Sequence, residues 1–175
     1  LKTLVIVTHP SLETSVVNKR WVEELKKYPE KYTVHELHKV YPDENIDVEK
    51  EQKLVETHGN LVFQFPVYWF NCPPLLKKWL DDVFLYEWAY GSKGDKLKNR
   101  KIALGVSAGI KNVDYSEAGR YHYTLEQVLC PFETTAIYCK ADYRSFFAFY
   151  GAEFEPSVSE IEKSTQDYLN FIDNM

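Results

Sequence analysis

Thr3-Leu4-Val5-Ile6-Val7, followed at once by Thr8-His9-Pro10-Ser11, decides the fold. The first five residues are a continuous apolar run rich in β-branched side chains, which suits a strand buried on both faces of a parallel sheet. The next four are polar and turn-forming, so the strand stops there. From Ser15 the period changes: Val17, Trp21, Leu25 and Tyr28 fall on one helical stripe. Thr14 or Ser15 stands where a helix N-cap belongs. Strand, polar loop and helix together form the opening unit of an α/β sheet.

The same alternation continues down the chain. Residues 32–37 read as a second strand, and Asp47 as the cap of a helix running to about His58. Residues 61–65 form a third strand, stopped by Pro66. Pro73 and Pro74 fit the first turn of a helix, where a missing N–H costs little, and Leu75, Leu76, Trp79, Leu80 and Val83 mark its buried face. Residues 102–106 are a fourth strand. Leu125, Val128, Leu129, Phe132 and Ala136 then step by three and four, with Pro131 predicting a kink rather than an end. Residues 145–150 are a fifth strand, closed by Gly151. Ser157 and Glu160 form a capping box for a last helix with Val158, Ile161, Thr165, Tyr168 and Ile172 on one face.

Strands alternating with helices imply right-handed crossovers and a parallel sheet. Five strands in 175 residues favour a flavodoxin-like three-layer α/β sandwich with strand order 2-1-3-4-5. No repeat, linker or low-complexity tract divides residues 1–175, which read as a single domain. The net charge of −5 excludes the footprint of a nucleic-acid binder and a polybasic membrane patch. Cys72, Cys130 and Cys139 show no C-x-x-C spacing and cannot all pair, as expected of a reducing intracellular compartment. The first apolar run is too short for a signal peptide or a membrane span, so the expected location is cytoplasmic. The chain starts with Leu1 rather than Met, as expected where a short leading piece is missing. Walker, G-x-G-x-x-G and G-x-S-x-G sequences and metal-ligand spacings are all absent, which removes several enzyme classes.

In such a sheet, ligands bind outside the carboxyl ends of the strands, near the topological switch point. Three loops converge there. The first offers His9, Ser11, Thr14, Ser15 and Asn18 around a helix N-terminus, a setting for a phosphate; ordinary capping plus a surface histidine would use the same residues. The second is Pro66-Val67-Tyr68-Trp69-Phe70. Three consecutive aromatics diverge and cannot all be buried on one face, so either some meet a flat ligand or they pack under the following helix. The third begins with Ser107-Ala108-Gly109, small enough for close backbone approach. It continues through Tyr115, Gly119, Tyr121 and His122, of which Tyr115 and His122 are candidate proton donors. Packing is the competing role for the tyrosine.

Several motifs resemble a known family. They are His9-Pro10 with Ser15 and Asn18, Phe65-Pro66-Val67-Tyr68-Trp69-Phe70 continuing through Pro73-Pro74-Leu75-Leu76-Lys77 to Asp81 and Phe84, and Trp88-Ala89-Tyr90-Gly91. This pattern is similar to the flavodoxin-like NAD(P)H dehydrogenase (quinone) family. The stretch Tyr41-Pro42-Asp43 with Asn45-Ile46-Asp47 resembles bacterial general-stress quinone reductases and the ancillary oxidoreductase subunits of glutathione-regulated potassium efflux systems.

The resemblance implies an oxidoreductase that takes electrons from NADPH or NADH into FMN or FAD and passes two to a quinone by a ping-pong route. It also implies a homodimer, with Trp88-Ala89-Tyr90 and residues 146–150 as candidate contact surface. FMN is favoured over FAD because the chain lacks an extension to wrap an adenosine. By motif, His9, Ser15, Val16, Val17 and Asn18 would hold the flavin phosphate. Val67, Tyr68, Trp69 and Phe70 would hold the ring, bordered on its other side by Ser107, Ala108, Gly109 and Ile110. Tyr115 matches a family tyrosine that hydrogen-bonds the ring, and a relay histidine of some members maps to Tyr121, with His122 beside it. Ile110 stands where the family often has glycine, narrowing the approach. The alternatives are an ancillary subunit docked on a membrane antiporter, peripheral to the inner face of the membrane, and a one-electron carrier. The carrier is disfavoured because the first loop lacks a Gly-rich phosphate cradle.

Overall fold

A computed structural model describes residues 1–175. Its sheet has five parallel strands in the order β2-β1-β3-β4-β5, as the alternation predicts. The strands are β1 (Thr3–Val7), β2 (Tyr32–Glu36), β3 (Asn60–Pro66), β4 (Lys101–Ala108) and β5 (Asp142–Tyr150). The helices are α1 (Val17–Leu25), a single turn α2 (Leu37–Val40), α3 (Val48–Glu56), α4 (Pro74–Val83), α5 (Leu125–Tyr138) and α6 (Val158–Asp173). Side chains alternate across the pleat. Leu4, Ile6, Phe63, Phe65, Leu104 and Val106 face α3, α4 and α5, whereas Val5, Val7, Val62 and Ala103 face α1 and α6. Both faces are covered, which is why the central strands read as unbroken apolar runs.

The caps act where the sequence placed them. Ser15 Oγ accepts from the Asn18 N–H (3.1 Å) and Asp47 from the Lys50 N–H (3.1 Å), and Ser157 and Glu160 form their reciprocal box. A further capping box, Thr124 with Gln127, opens α5, which runs through Pro131 to Tyr138.

The departures have local causes. β2 stops at Glu36 rather than Leu37 because its sole neighbour β1 ends at Val7, so Leu37 has nothing to pair with and coils into α2. β5 starts at Asp142, three residues before the expected Ser145. Between Ile102 and Leu104 the opposing strand advances from Tyr143 to Phe146, and Ser145 absorbs the extra residue at φ 68°. That bulge breaks the alternation and hides the first part of the strand. Tyr28 lies beyond the end of α1, and Val158 lies off the buried stripe of α6; both are exposed. Trp88 and Ala89 are not a surface: both are buried in their own chain, where Trp88 Nε1 donates to Glu56 Oε1 (2.7 Å). Leu85 and Tyr86 are the exposed side chains of that segment. No helix is long and apolar enough to cross a membrane, and all three cysteines are free.

One buried carboxylate ties the α3–α4 layer together. Glu51 is fully buried and accepts from His35 Nε2 (2.9 Å), Tyr41 OH (2.7 Å) and Trp79 Nε1 (2.8 Å). Burial pushes its carboxyl up, but the bonds from His35, Tyr41 and Trp79 outweigh it and leave the group below its ordinary value. On the opposite face, Gly105 admits the ring of Tyr168: a Cβ there would lie 2.5 Å from the ring. Gly105→Ala is therefore expected to cost about 1–3 kcal/mol, read as a lower urea midpoint. An unchanged midpoint would mean that the ring of Tyr168 can move aside freely.

Candidate active site

The loops after β1, β3 and β4 meet at the carboxyl end of the sheet, the switch point where β1 lies between β2 and β3. A cleft of about 410 Å³ opens there, lined by Val67, Tyr68, Trp69, Phe70, Gly109, Ile110, Tyr115 and Glu153. Of these, Glu153 is the residue that sequence reasoning missed. It arrives because the chain after β5 is zipped to the loop after β4 by backbone bonds: Gly151 N–H to Ile110 O (2.9 Å), Ala152 N–H to Ala108 O (3.0 Å) and Glu153 N–H to Gly109 O (3.2 Å). No local signal in the sequence marks it, since its place follows from strand register.

The aromatic wall is a two-residue turn. Tyr68 N–H donates to Asn71 O (2.8 Å) and Asn71 N–H to Tyr68 O (3.0 Å), with Trp69 and Phe70 at φ 48° and 59°. Both central residues are left-handed, the type I′ arrangement that normally takes Asn-Gly. For bulky L-residues this conformation costs roughly 1–2 kcal/mol each. The left-handed backbone carries these rings outward and not under α4. Trp69 is 94% exposed, and Phe70 leans on Tyr121 (centroids 5.1 Å) and Tyr115 (6.4 Å). Packing beneath the following helix is thus not the role of these aromatics.

Tyr115 is buried at the cleft wall among Phe70, Tyr121 (6.2 Å) and Tyr150 (5.9 Å). Burial, and then the neighbouring Tyr150 and Tyr121, push its phenol up to about 12. It therefore keeps its proton at neutral pH and can only donate or accept hydrogen bonds as the neutral phenol. His122 does not line the cleft. It is exposed, at φ 62°, while Tyr121 takes the inward position beside Phe70.

In the first loop His9 Nδ1 accepts from the Ser11 N–H (3.0 Å), and its ring meets Tyr68 edge-on (6.4 Å). Burial, and then His38 nearby, lower its pKa. The accepting Nδ1 leaves the proton on Nε2. The Val16 N–H has no acceptor in the protein, and the buried Thr8 Oγ1 has no partner. A helix N-terminus with unspent donors beside a neutral histidine fits an oxyanion such as a phosphate. Asn18 differs from the expectation: its side chain turns inward, Nδ2 donating to Ser107 Oγ (2.7 Å). Ser107 and Ala108 are buried at the end of β4, directly behind the cleft residues Gly109 and Ile110.

Comparison with known proteins agrees with the fold. A family model described as a flavodoxin-like fold matches residues 1–172. The crystal structure of general stress protein 14 from Treponema denticola, in complex with FMN, is 52% identical, with a TM-score of 0.95 and 99% of each chain covered. A Bacillus subtilis (strain 168) protein named "Uncharacterized NAD(P)H oxidoreductase YrkL" is 43% identical over 172 residues, 98% of each chain. The glutathione-regulated potassium-efflux system ancillary protein KefG of Cronobacter sakazakii is 34% identical over 171 residues, 98% of this chain and 92% of its own.

Replacing the strained indole tests the turn. Trp69→Asn, which suits a left-handed position, is expected to raise unfolding free energy by about 1 kcal/mol in urea titration. A loss of stability would show that the exposed indole is held by contacts that outweigh the backbone strain.

Proposed function

The chain belongs to the flavodoxin-like fold family, and on that premise we propose that it is a flavin-dependent NAD(P)H:quinone oxidoreductase acting as a single flavin-binding unit over residues 1–175. The observation that carries this reading is the cleft itself: an aromatic turn on one wall, Gly109 and Ile110 on the other, and a protonated Tyr115 between them. The 52% identity to a protein crystallised with FMN supports FMN as the cofactor, and the similarity to an NAD(P)H oxidoreductase supports NADPH or NADH as donor.

His9, Ser15 and the N–H groups of Val16 and Val17 would hold the phosphate, with Asn18 fixing the loop from within. Val67, Tyr68, Trp69 and Phe70 would hold one side of the ring, and Ser107, Ala108, Gly109 and Ile110 the other. FMN bound there supplies hydride acceptance and hydride donation. Gly109 makes room for the Glu153 side chain, which a Cβ there would meet at 2.6 Å, and Ile110 narrows the approach and excludes water. Trp69 and Phe70 offer flat faces for a nicotinamide and a quinone. A cleft of about 410 Å³ favours their taking turns, hence a ping-pong order. Tyr115 donates a hydrogen bond to the charge that develops on the acceptor side. The active form is read as a homodimer, and the compartment as the cytoplasm.

The similarity to KefG favours a second reading, in which the protein docks on a potassium-efflux antiporter as an ancillary subunit. The visible spectrum of the FMN-reconstituted protein, recorded without oxygen before and after NADPH, separates the two. Rapid bleaching is expected. A bound flavin that neither NADPH nor NADH bleaches would leave the docking role, and no bound flavin would end the flavin reading. Tyr115→Phe is expected to slow one half-reaction by about tenfold or more, with FMN affinity nearly unchanged. Stopped-flow rates equal to the unmodified protein in both half-reactions would remove Tyr115 from the chemistry.

A further inference from the structure

Three of the residues lining the cleft can titrate: Tyr68, Tyr115 and Glu153. Burial holds both phenols above their ordinary value, so each keeps its proton through the neutral range. A carboxyl group, by contrast, is ordinarily an anion there and gains a proton when negative charge arrives within a few ångströms.

The fold places this carboxylate firmly. Backbone bonds from Gly151, Ala152 and Glu153 to Ile110, Ala108 and Gly109 fix the segment after β5 against the cleft wall. The side chain then lies across Gly109, where a Cβ would sit 2.6 Å from both Glu153 Cδ and Oε1. Glu153 is exposed, so water reaches it, and none of the ion pairs of the fold includes it. The charged side chains of the surrounding segments are Lys111, whose ammonium lies over the Phe154 ring (4.7 Å), Asp114 and Glu155. Tyr150 on β5, raised by burial, and His9 beyond Tyr68, lowered by burial, complete the titratable groups around the cleft.

The reaction proposed above leaves one proton to be supplied. NAD(P)H, a quinone and one proton become NAD(P)+ and a hydroquinone. The nicotinamide C4–H bond breaks, its hydrogen and both electrons pass by way of the cofactor to the quinone, and the second quinone oxygen needs a proton from elsewhere. A general acid must lie within reach of that oxygen. His122 faces away from the cleft, and the two phenols hold their protons too tightly.

We propose that Glu153 carries this proton: its carboxylate takes one from water while the site holds two electrons, and gives it to the quinone as they leave. This rests on the flavin reading above and adds to it a catalytic residue distinct from Tyr115.

The test is the reduction potential of the FMN-loaded protein against pH, by spectroelectrochemical titration, with the infrared difference spectrum between the reduced and oxidised forms. For a two-electron couple, each proton taken up steepens the fall in potential by about 30 mV per pH unit. The unmodified protein is expected to fall more steeply than Glu153→Gln by about that amount, and Glu153→Asp to restore the slope. Where the carboxyl is already protonated in the oxidised protein the two potentials coincide. At higher pH the unmodified protein lies lower, because the anion opposes incoming negative charge. On reduction its infrared spectrum is expected to gain the carbonyl band of a protonated carboxylic acid, which Glu153→Gln lacks. Reoxidation by benzoquinone is expected to slow about tenfold or more in Glu153→Gln, with FMN affinity kept within about twofold. Equal slopes, or reduction without the acid band, overturn the proposal and leave the flavin reading standing. A protein that takes up no FMN ends the flavin reading, and this proposal with it.

Discussion

A polar side chain at the centre of a sheet covered on both faces must find every partner inside the protein, and Gln64 is that side chain. It lies on β3, the middle strand, and its amide reaches α6 through Tyr168 and α1 through Asn18. Leaving either end unpaired would cost on the order of 1–3 kcal/mol, so the two helices are held at fixed heights against the strand ends. The absence of a side chain at Gly105 belongs to the same constraint, because without it the Tyr168 ring could not reach the amide. The start of α1, where the first loop collects its donors, is thus set by a contact made through the middle of the sheet.

The other face solves its polar problem by concentration instead of by a chain. Glu51 gathers His35, Tyr41 and Trp79 on one carboxylate, binding β2, α3, α4 and the segment after α2 into one block. The unfavourable backbone of Trp69 and Phe70 is held instead by bonds on either side of the turn. The turn is anchored on one side by the Val67 bond to β4 and on the other by Asn71 Oδ1, which caps the approach to α4 by accepting from the Cys72 N–H (2.8 Å). Local strain at the cleft is offset by regular structure on both sides of it.

The fold was legible because burial on two faces leaves a plain signature: β-branched runs for strands and three-to-four stepping for helices. What was lost was lost to pairing. β2 ended early for want of a neighbour at Leu37, and β5 was cut short by the Ser145 bulge, and neither is encoded in a local pattern. At the site, the aromatic turn and the segment Ser107 to Ile110 stood out because their residue types are unusual at strand ends. Glu153 could not be read, since strand register brings it to Gly109. Its place in the loop makes His122 a candidate donor, but the fold gives the inward position to Tyr121. Gln64 is a lone polar residue inside an apolar strand, and its partners Asn18 and Tyr168 lie 46 and 104 residues away. Chain direction alone could not supply them.

The bulge at Ser145 also bears on how copies of this chain can meet. β5 is an edge strand with half-buried aromatic side chains from Phe146 to Tyr150, a composition that invites strand addition from a neighbour. A left-handed residue in its first half shifts the spacing of the open donors and acceptors, so an incoming strand would meet them out of step. The edge is thereby blunted against runaway sheet growth.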